Sequence, residues 1–160
     1  MPDMLVKLYD LPDAATAAAR LSDTTIAIRR CLLPEKPQVL GWMLEHFPAW
    51  APEMEATFAR MPISSFLALR DGRIIGFACT DAFCRNYFGP TAVIESERGR
   101  GVGRALLLAA LHAQREQGYA YSIIGGVGPA AFYERNVGAI AIPDSAPGAY
   151  AGMLRAQPKA

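Results

Sequence analysis

The sequence predicts an α+β (mixed α/β) fold, on three observations. A hairpin signal lies in its middle, where "SSFLALR" at 64–70 and "IIGFACTD" at 74–81 flank "DGR". Helical patterns precede it, and a strand, helix, strand, helix passage follows it. The chain has 160 residues, 52% hydrophobic and 19% charged, which suits a single packed domain over residues 1–160.

Taken in order, "MLVKLY" at 4–9 reads as a first strand, and "DAATAAARL" at 13–21 as an Ala-rich helix with Asp13 as N-cap. "TIAIRRCL" at 25–32 alternates apolar and polar residues as a strand does. Helices follow at 36–47 ("KPQVLGWMLEHF") and 51–60 ("APEMEATFAR"). Beyond the hairpin, "GPTAVIE" at 89–95 is a strand, 102–117 a helix closed by Gly118, and "AYSIIGG" another strand. "PAAFYERN" is a short helix started by Pro129, and "AIAIP" and "GAYAGML" are two last strands around the turn-rich "DSAPG".

A formal net charge of +1 gives no global field to recruit nucleic acid or an anionic membrane, so neither is an expected partner. Cys31, Cys79 and Cys84 are an odd number without framework or metal spacing, which points to a reducing cytoplasm and to no metal. "MPDMLVKLYD" lacks the apolar run of a signal peptide, and "ALLLAAL" at 105–111 is far short of the roughly 20 residues that span a bilayer. A cytoplasmic location is the expectation. If "GAYAGML" forms an edge strand, pairing with a second copy would cover it, which points to a homodimer.

The stretch "ESERGRGVGRALLLAAL" at 95–111 carries the chemistry. Arginines in the first turn of a helix are unfavourable by roughly 0.3–1 kcal/mol each, because the helix dipole is already positive there. They become favourable if an anion occupies that end. Alternate glycines let backbone N–H groups approach a ligand, and a helix N-terminus offers unpaired donors, so the segment reads as a phosphate or pyrophosphate cradle. A dinucleotide fingerprint from Gly99 would need glycine where Arg104 stands, and a P-loop would need Lys followed by Ser or Thr. What is present is R-x-x-G-x-G, spelled Arg98, Gly99, Arg100, Gly101, Val102, Gly103.

With the preceding strand "TAV" and the downstream "GGVGPAAFYERNVGA", this motif resembles the GNAT superfamily of acetyl-CoA-dependent N-acetyltransferases, from about Phe66 to Gly138. The resemblance implies a central, mostly antiparallel twisted sheet flanked by helices, with acetyl-CoA as co-substrate. It implies that Thr91, Ala92 and Val93 meet the pantetheine arm and acetyl carbonyl, and that Arg98 to Arg104 wrap the pyrophosphate. Tyr133 falls where many members carry the tyrosine that protonates the departing thiolate. The position often held by Asn in the family is Gly126 here, so backbone groups of "GGVGP" would have to serve.

The chemistry asks for a neutral amine, a polarised thioester carbonyl and a proton for the thiolate. An alkyl ammonium is only about a thousandth neutral at pH 7, so a general base helps. Glu95 and Asp81 are the candidates and Glu95 is favoured, although it also reads as a surface partner of the nearby arginines. Val93 N–H is the candidate to polarise the carbonyl, and Tyr133 to donate the proton. The competing reading of Tyr133 is a core aromatic, His112 reads as an ordinary helix residue, and His46, near Trp42 and Trp50, reads either as part of an acceptor pocket or as a residue of an amphipathic helix packing its aromatics. Cys84 reads as a plain thiol, and Tyr87 and Phe88 as either acceptor wall or core. The expected function is acetyl transfer to a primary amine of a small-molecule or peptide acceptor. The alternative is a catalytically silent acyl-CoA-binding sensor or scaffold.

Overall fold

Strong hydrophobic alternation in the middle of the chain builds a mixed sheet with helices on both faces. The computed structural model describes residues 1–13, 15, 16, 21, 23 and 25–154. Among them, seven strands form one sheet: β1 (Met4–Lys7), β2 (Ile26–Arg30), β3 (Ser65–Arg70), β4 (Arg73–Thr80), β5 (Tyr87–Val93), β6 (Tyr121–Ile124) and β7 (Ile140–Ala141). Their order is β2-β3-β4-β5-β6-β1-β7, antiparallel throughout except for the pair β5 and β6. The helices are α1 (Lys36–His46), α2 (Ala51–Thr57), α3 (Val102–Glu116) and α4 (Ala130–Val137). No helix among the described residues is long and apolar enough to cross a membrane.

The period of two divides the strands between two cores. Phe66, Ala68 and Ala78 join a core with α3 and α4, while Leu67, Phe77 and Cys79 join one with α1 and α2. Helix α3 supplies Leu106, Leu107, Leu108 and Leu111, all fully buried, each contributing about 1.5–3 kcal/mol by leaving water. Asp71 (φ 48°) and Gly72 (φ 74°) both take the left-handed backbone that a two-residue hairpin turn requires.

Several expectations shift. The first strand stops at Lys7, and residues 8–10 form a 3-10 turn. The strand expected at 89–95 occupies Tyr87–Val93, because Ile94 leads into a 3-10 turn over Glu95–Glu97. Asp13 accepts the N–H groups of Ala15 and Thr16 at 3.3 Å, as an N-cap does, but most of the helix expected over 13–21 lies outside the described residues. "GAYAGML" is not a strand: Gly148–Tyr150 is a 3-10 turn, followed by turn and coil. Glycines at 148 and 152 with φ of 59° and 80° break the extended backbone that a strand needs.

The parallel pair is short. Ile123 N–H donates to Asn86 O at 2.8 Å, and the register runs only through Tyr87↔Ile123 and Phe88↔Ile124. Beyond Phe88, Gly89 turns to φ 121° and Pro90 has no N–H to donate, while β6 stops at Ile124, before Gly125 and Gly126. Against β4, three steps of β5 (Phe88 to Thr91) match two (Ala78 to Thr80), a bulge at the same place. The two strands therefore part. Their root is held by Gln114 of α3, fully buried, whose amide nitrogen donates to Tyr87 O at 3.2 Å and whose oxygen accepts from Ser122 Oγ at 2.7 Å.

Gln114→Leu keeps the volume and removes two buried hydrogen bonds, although Tyr87 O still accepts Asp81 N–H at 2.8 Å and Ser122 Oγ still reaches Asn86 O at 3.3 Å. It should cost about 1–3 kcal/mol in urea unfolding, whereas Gln117→Leu, on the exposed last turn, should cost less than about 0.5.

Candidate active site

Two cavities flank the fork between β5 and β6. The first, about 560 Å³, is lined by Thr91, Ala92, Val93, Glu97, Arg98, Gly99, Gly101, Val102, Gly103, Arg104, Pro129, Phe132, Tyr133 and Asn136. The second, about 480 Å³, is lined by Trp50, Glu53, Phe83, the run 87–91, the run 124–129, Tyr133 and Tyr150. Thr91, Pro129 and Tyr133 belong to both.

The floor of the first cavity follows from strand geometry. Ile94 N–H donates to Ile75 O at 3.0 Å, so the neighbouring antiparallel pair, Gly76 and Val93, is a non-hydrogen-bonded one. Val93 N–H therefore faces away from β4, toward the side vacated by β6. The rim is the glycine turn. Gly99 (φ 77°) and Gly101 (φ 84°) are left-handed, and an added Cβ at Gly99 would meet open space. Gly101 caps α3 with no side-chain bond, leaving the first N–H groups of the helix unpaired.

The arginines have separate tasks. Arg98 Nε donates to Val93 O at 3.1 Å, tying the turn back to β5. Arg100 is exposed, does not line the cavity, and lies 3.5 Å from Glu97, which also takes Arg70 at 2.8 Å. Arg104 lines the cavity, and its Nη1 is shielded from solvent without a partner among the described residues. A buried unpaired guanidinium N–H beside free helix amides is the donor set an oxyanion needs.

Tyr133 sits on α4 between the cavities, 7% exposed, its ring edge-on to Phe132 and Phe88 with centroids 5.1 and 6.3 Å away. Burial pushes its hydroxyl above the ordinary phenol value. Gly126 (φ 55°) lines the second cavity, and its N–H is engaged by the buried Asp3 carboxylate at 2.9 Å, so its carbonyl is what it offers a ligand. Glu95 is exposed on its 3-10 turn and lines neither cavity. Asp81 is buried elsewhere, accepting Asn86 N–H at 2.6 Å, and His112 bonds Pro12 O at 2.9 Å.

Sequence reasoning missed Asp3, Glu53, Phe83 and Tyr150. Asp3 reaches Gly126 across 123 positions, and Tyr87 donates to its other oxygen at 3.4 Å. Burial first, and then the Asp3 charge, raise the Tyr87 and Tyr150 phenols. "GG" at 125–126 did carry a signal of close approach: a Cβ on Gly125 would stand 2.8 Å from the Tyr150 hydroxyl and 2.9 Å from the Tyr87 ring. Among the described residues no three His, Cys, Asp or Glu side chains gather as a metal site.

Residues 62–136 match the family model described as an acetyltransferase (GNAT) domain. The chain's fold is that of solved GNAT structures. The GCN5-related glucosamine N-acetyltransferase region of a fungal multi-domain GH3 beta-N-acetylglucosaminidase superposes with a TM-score of 0.73 at 18% identity, covering 88% of this chain and 19% of that one. The GCN5-related N-acetyltransferase from Sphaerobacter thermophilus gives 0.62 at 20%, covering 88% and 48%. The aminoglycoside N-acetyltransferase AAC(6')-Iy in complex with CoA gives 0.50 at 20%, covering 69% and 82%. The chain thus spans a fifth to a half of the first two. No curated protein sequence matches it significantly.

Gly125→Ala tests the closed wall of the second cavity. The added methyl must push Tyr87 or Tyr150 aside, at a cost of about 1–3 kcal/mol in chemical denaturation. Gly128→Ala, where a Cβ has nothing within 4 Å, should be nearly neutral.

Proposed function

We propose that the protein transfers an acetyl group from acetyl-CoA to a primary amine. The observation that carries this reading is the meeting of a cavity built for an anion with a second, aromatic cavity at Thr91, Pro129 and Tyr133. The residues fit the coenzyme: free N–H groups at the α3 N-terminus and Arg104 for the pyrophosphate, and the open β5 edge for an extended amide-bearing arm. Acetyl-CoA would supply an activated acetyl thioester, whose C–S bond is exchanged for a C–N bond.

In this reading the protein's own groups act at three points. Val93 N–H donates to the acetyl carbonyl oxygen, where negative charge grows. Tyr133 gives its hydroxyl proton to the leaving sulfur and regains one from water, and its raised pKa keeps it protonated at neutral pH. The ammonium proton leaves to water in the second cavity, where Glu53 is the lining carboxylate; Glu95 reaches neither cavity.

The cradle is tested by binding. CoA at about a hundred times its Kd should stabilise the protein by roughly 2.7 kcal/mol, with NAD and ATP doing much less. Gly101→Val should abolish CoA binding, because a branched residue resists φ 84° and fills the anion's place. Arg104→Ala should weaken it about tenfold, and Arg100→Ala less than about threefold. An Arg100 effect larger than the other two would overturn the assignment.

The proton donor is tested by Tyr133→Phe, which keeps the ring. Single-turnover acetyl transfer should fall about 10²- to 10⁴-fold, with CoA affinity and melting temperature nearly unchanged. Because burial raises the phenol, wild-type kcat should decline only as pH passes above about 10, where the donor ionises, and that limb should vanish in the variant. An unchanged single-turnover rate would leave Tyr133 a core aromatic.

A further inference from the structure

We infer, resting on the acetyl-transfer reading, that the acceptor is a cationic amine carried on a flat aromatic body, selected by the rings of Trp50, Phe83, Tyr87 and Tyr150 and by the uncompensated carboxylate of Glu53. Among the described residues no Lys, Arg or His lines the second cavity, and Glu53 is its only lining carboxylate. Glu53 makes no ion pair among the described residues, whereas Glu55, two positions on, is paired with Lys36 at 2.9 Å. A half-buried carboxylate without a cation favours a positively charged occupant and disfavours an anionic one.

The walls define the body of that occupant. Phe83 and Tyr150 stack with centroids 4.6 Å apart and planes at 12°, and Tyr87 stands edge-on to Phe83 at 6.1 Å and 73°. These rings are held in place: Gly125 admits Tyr87 and Tyr150 where no side chain would fit, and the Tyr87 hydroxyl is tied to Asp3. Fixed ring faces suit an aromatic body by stacking and an ammonium group by cation–π attraction. A polycation would need several carboxylates, and this lining supplies one. The volume, about 480 Å³, lies in the range of small-molecule sites. Tyr133, shared with the donor cavity, marks the end at which the amine reacts.

The test measures thiol release from acetyl-CoA with 2-phenylethylamine, tryptamine, spermidine, glucosamine and glutamate. Binding of 2-phenylethylamine and of 2-phenylethanol to the CoA-loaded protein is followed by calorimetry. The two arylalkylamines should exceed the other three in kcat/KM by at least about tenfold. Glu53→Gln should raise KM for 2-phenylethylamine about tenfold with kcat within about threefold, and leave 2-phenylethanol binding unchanged. Phe83→Ala, at a residue 40% exposed and so of little weight in the core, should weaken both ligands alike. A preference for spermidine, glucosamine or glutamate, or a Glu53→Gln enzyme unaltered toward the amine, overturns this acceptor while acetyl transfer stands. Thiol release with none of the five, despite CoA binding, counts against acetyl transfer itself; the calorimetry then judges the amine site alone, and absence of amine binding overturns it.

Discussion

The hold of Gln114 on Tyr87 and Ser122 is the constraint on which the site depends, because it joins β5 and β6 at the only place where they pair. A parallel sheet ordinarily continues once begun, since each added residue satisfies another backbone group. Here the continuation is blocked: Pro90 has nothing to donate, Gly89 turns aside, and β6 stops at two glycines. The unpaired backbone that results would be a defect in a closed core. Placed at the mouth of two cavities, it is where a ligand's amides and carbonyls can complete the sheet.

The fork also separates charge. On one side stand the α3 N-terminus and Arg104, with Arg70 and Arg100 sharing Glu97 behind them, so the potential there is positive and suits phosphates. On the other side no basic residue lines the cavity, and Asp3 and Glu53 set the sign. Tyr133 lies between, on a helix whose burial keeps its phenol protonated. In the proposed reaction each substrate would be drawn to its own half by simple electrostatics, and the reacting atoms would meet where the two fields join.

The turn at Gly148–Tyr150 shows how a local misreading hides a cavity-lining residue. The apolar "GAYAGML" reads as an edge strand, but glycines at 148 and 152 take left-handed backbone and turn the segment. Tyr150 thereby reaches the Phe83 ring, and Ser145 Oγ accepts the Asp3 N–H at 2.7 Å. The same kind of shift moved the strand at 89–95 two residues toward the N-terminus and left Glu95 on an exposed turn.

By itself the sequence determined the elements with strong periodicity, the "DG" hairpin, and the glycine turn that opens α3. These are set by neighbours in the chain: which residues tolerate left-handed backbone, which cannot donate, where a helix begins. Tyr133 came forward only through the resemblance carried by "GGVGPAAFYERNVGA", and its place on both cavities is a matter of tertiary structure. Tertiary structure decided the second cavity, because its walls come from Trp50 and Glu53, Phe83 and Tyr87, Gly125, and Tyr150, four stretches far apart in the chain. Each of those residues taken alone reads as a core aromatic or a surface acid. Only their convergence, with the Cβ that Gly125 lacks, brings these residues to one cavity.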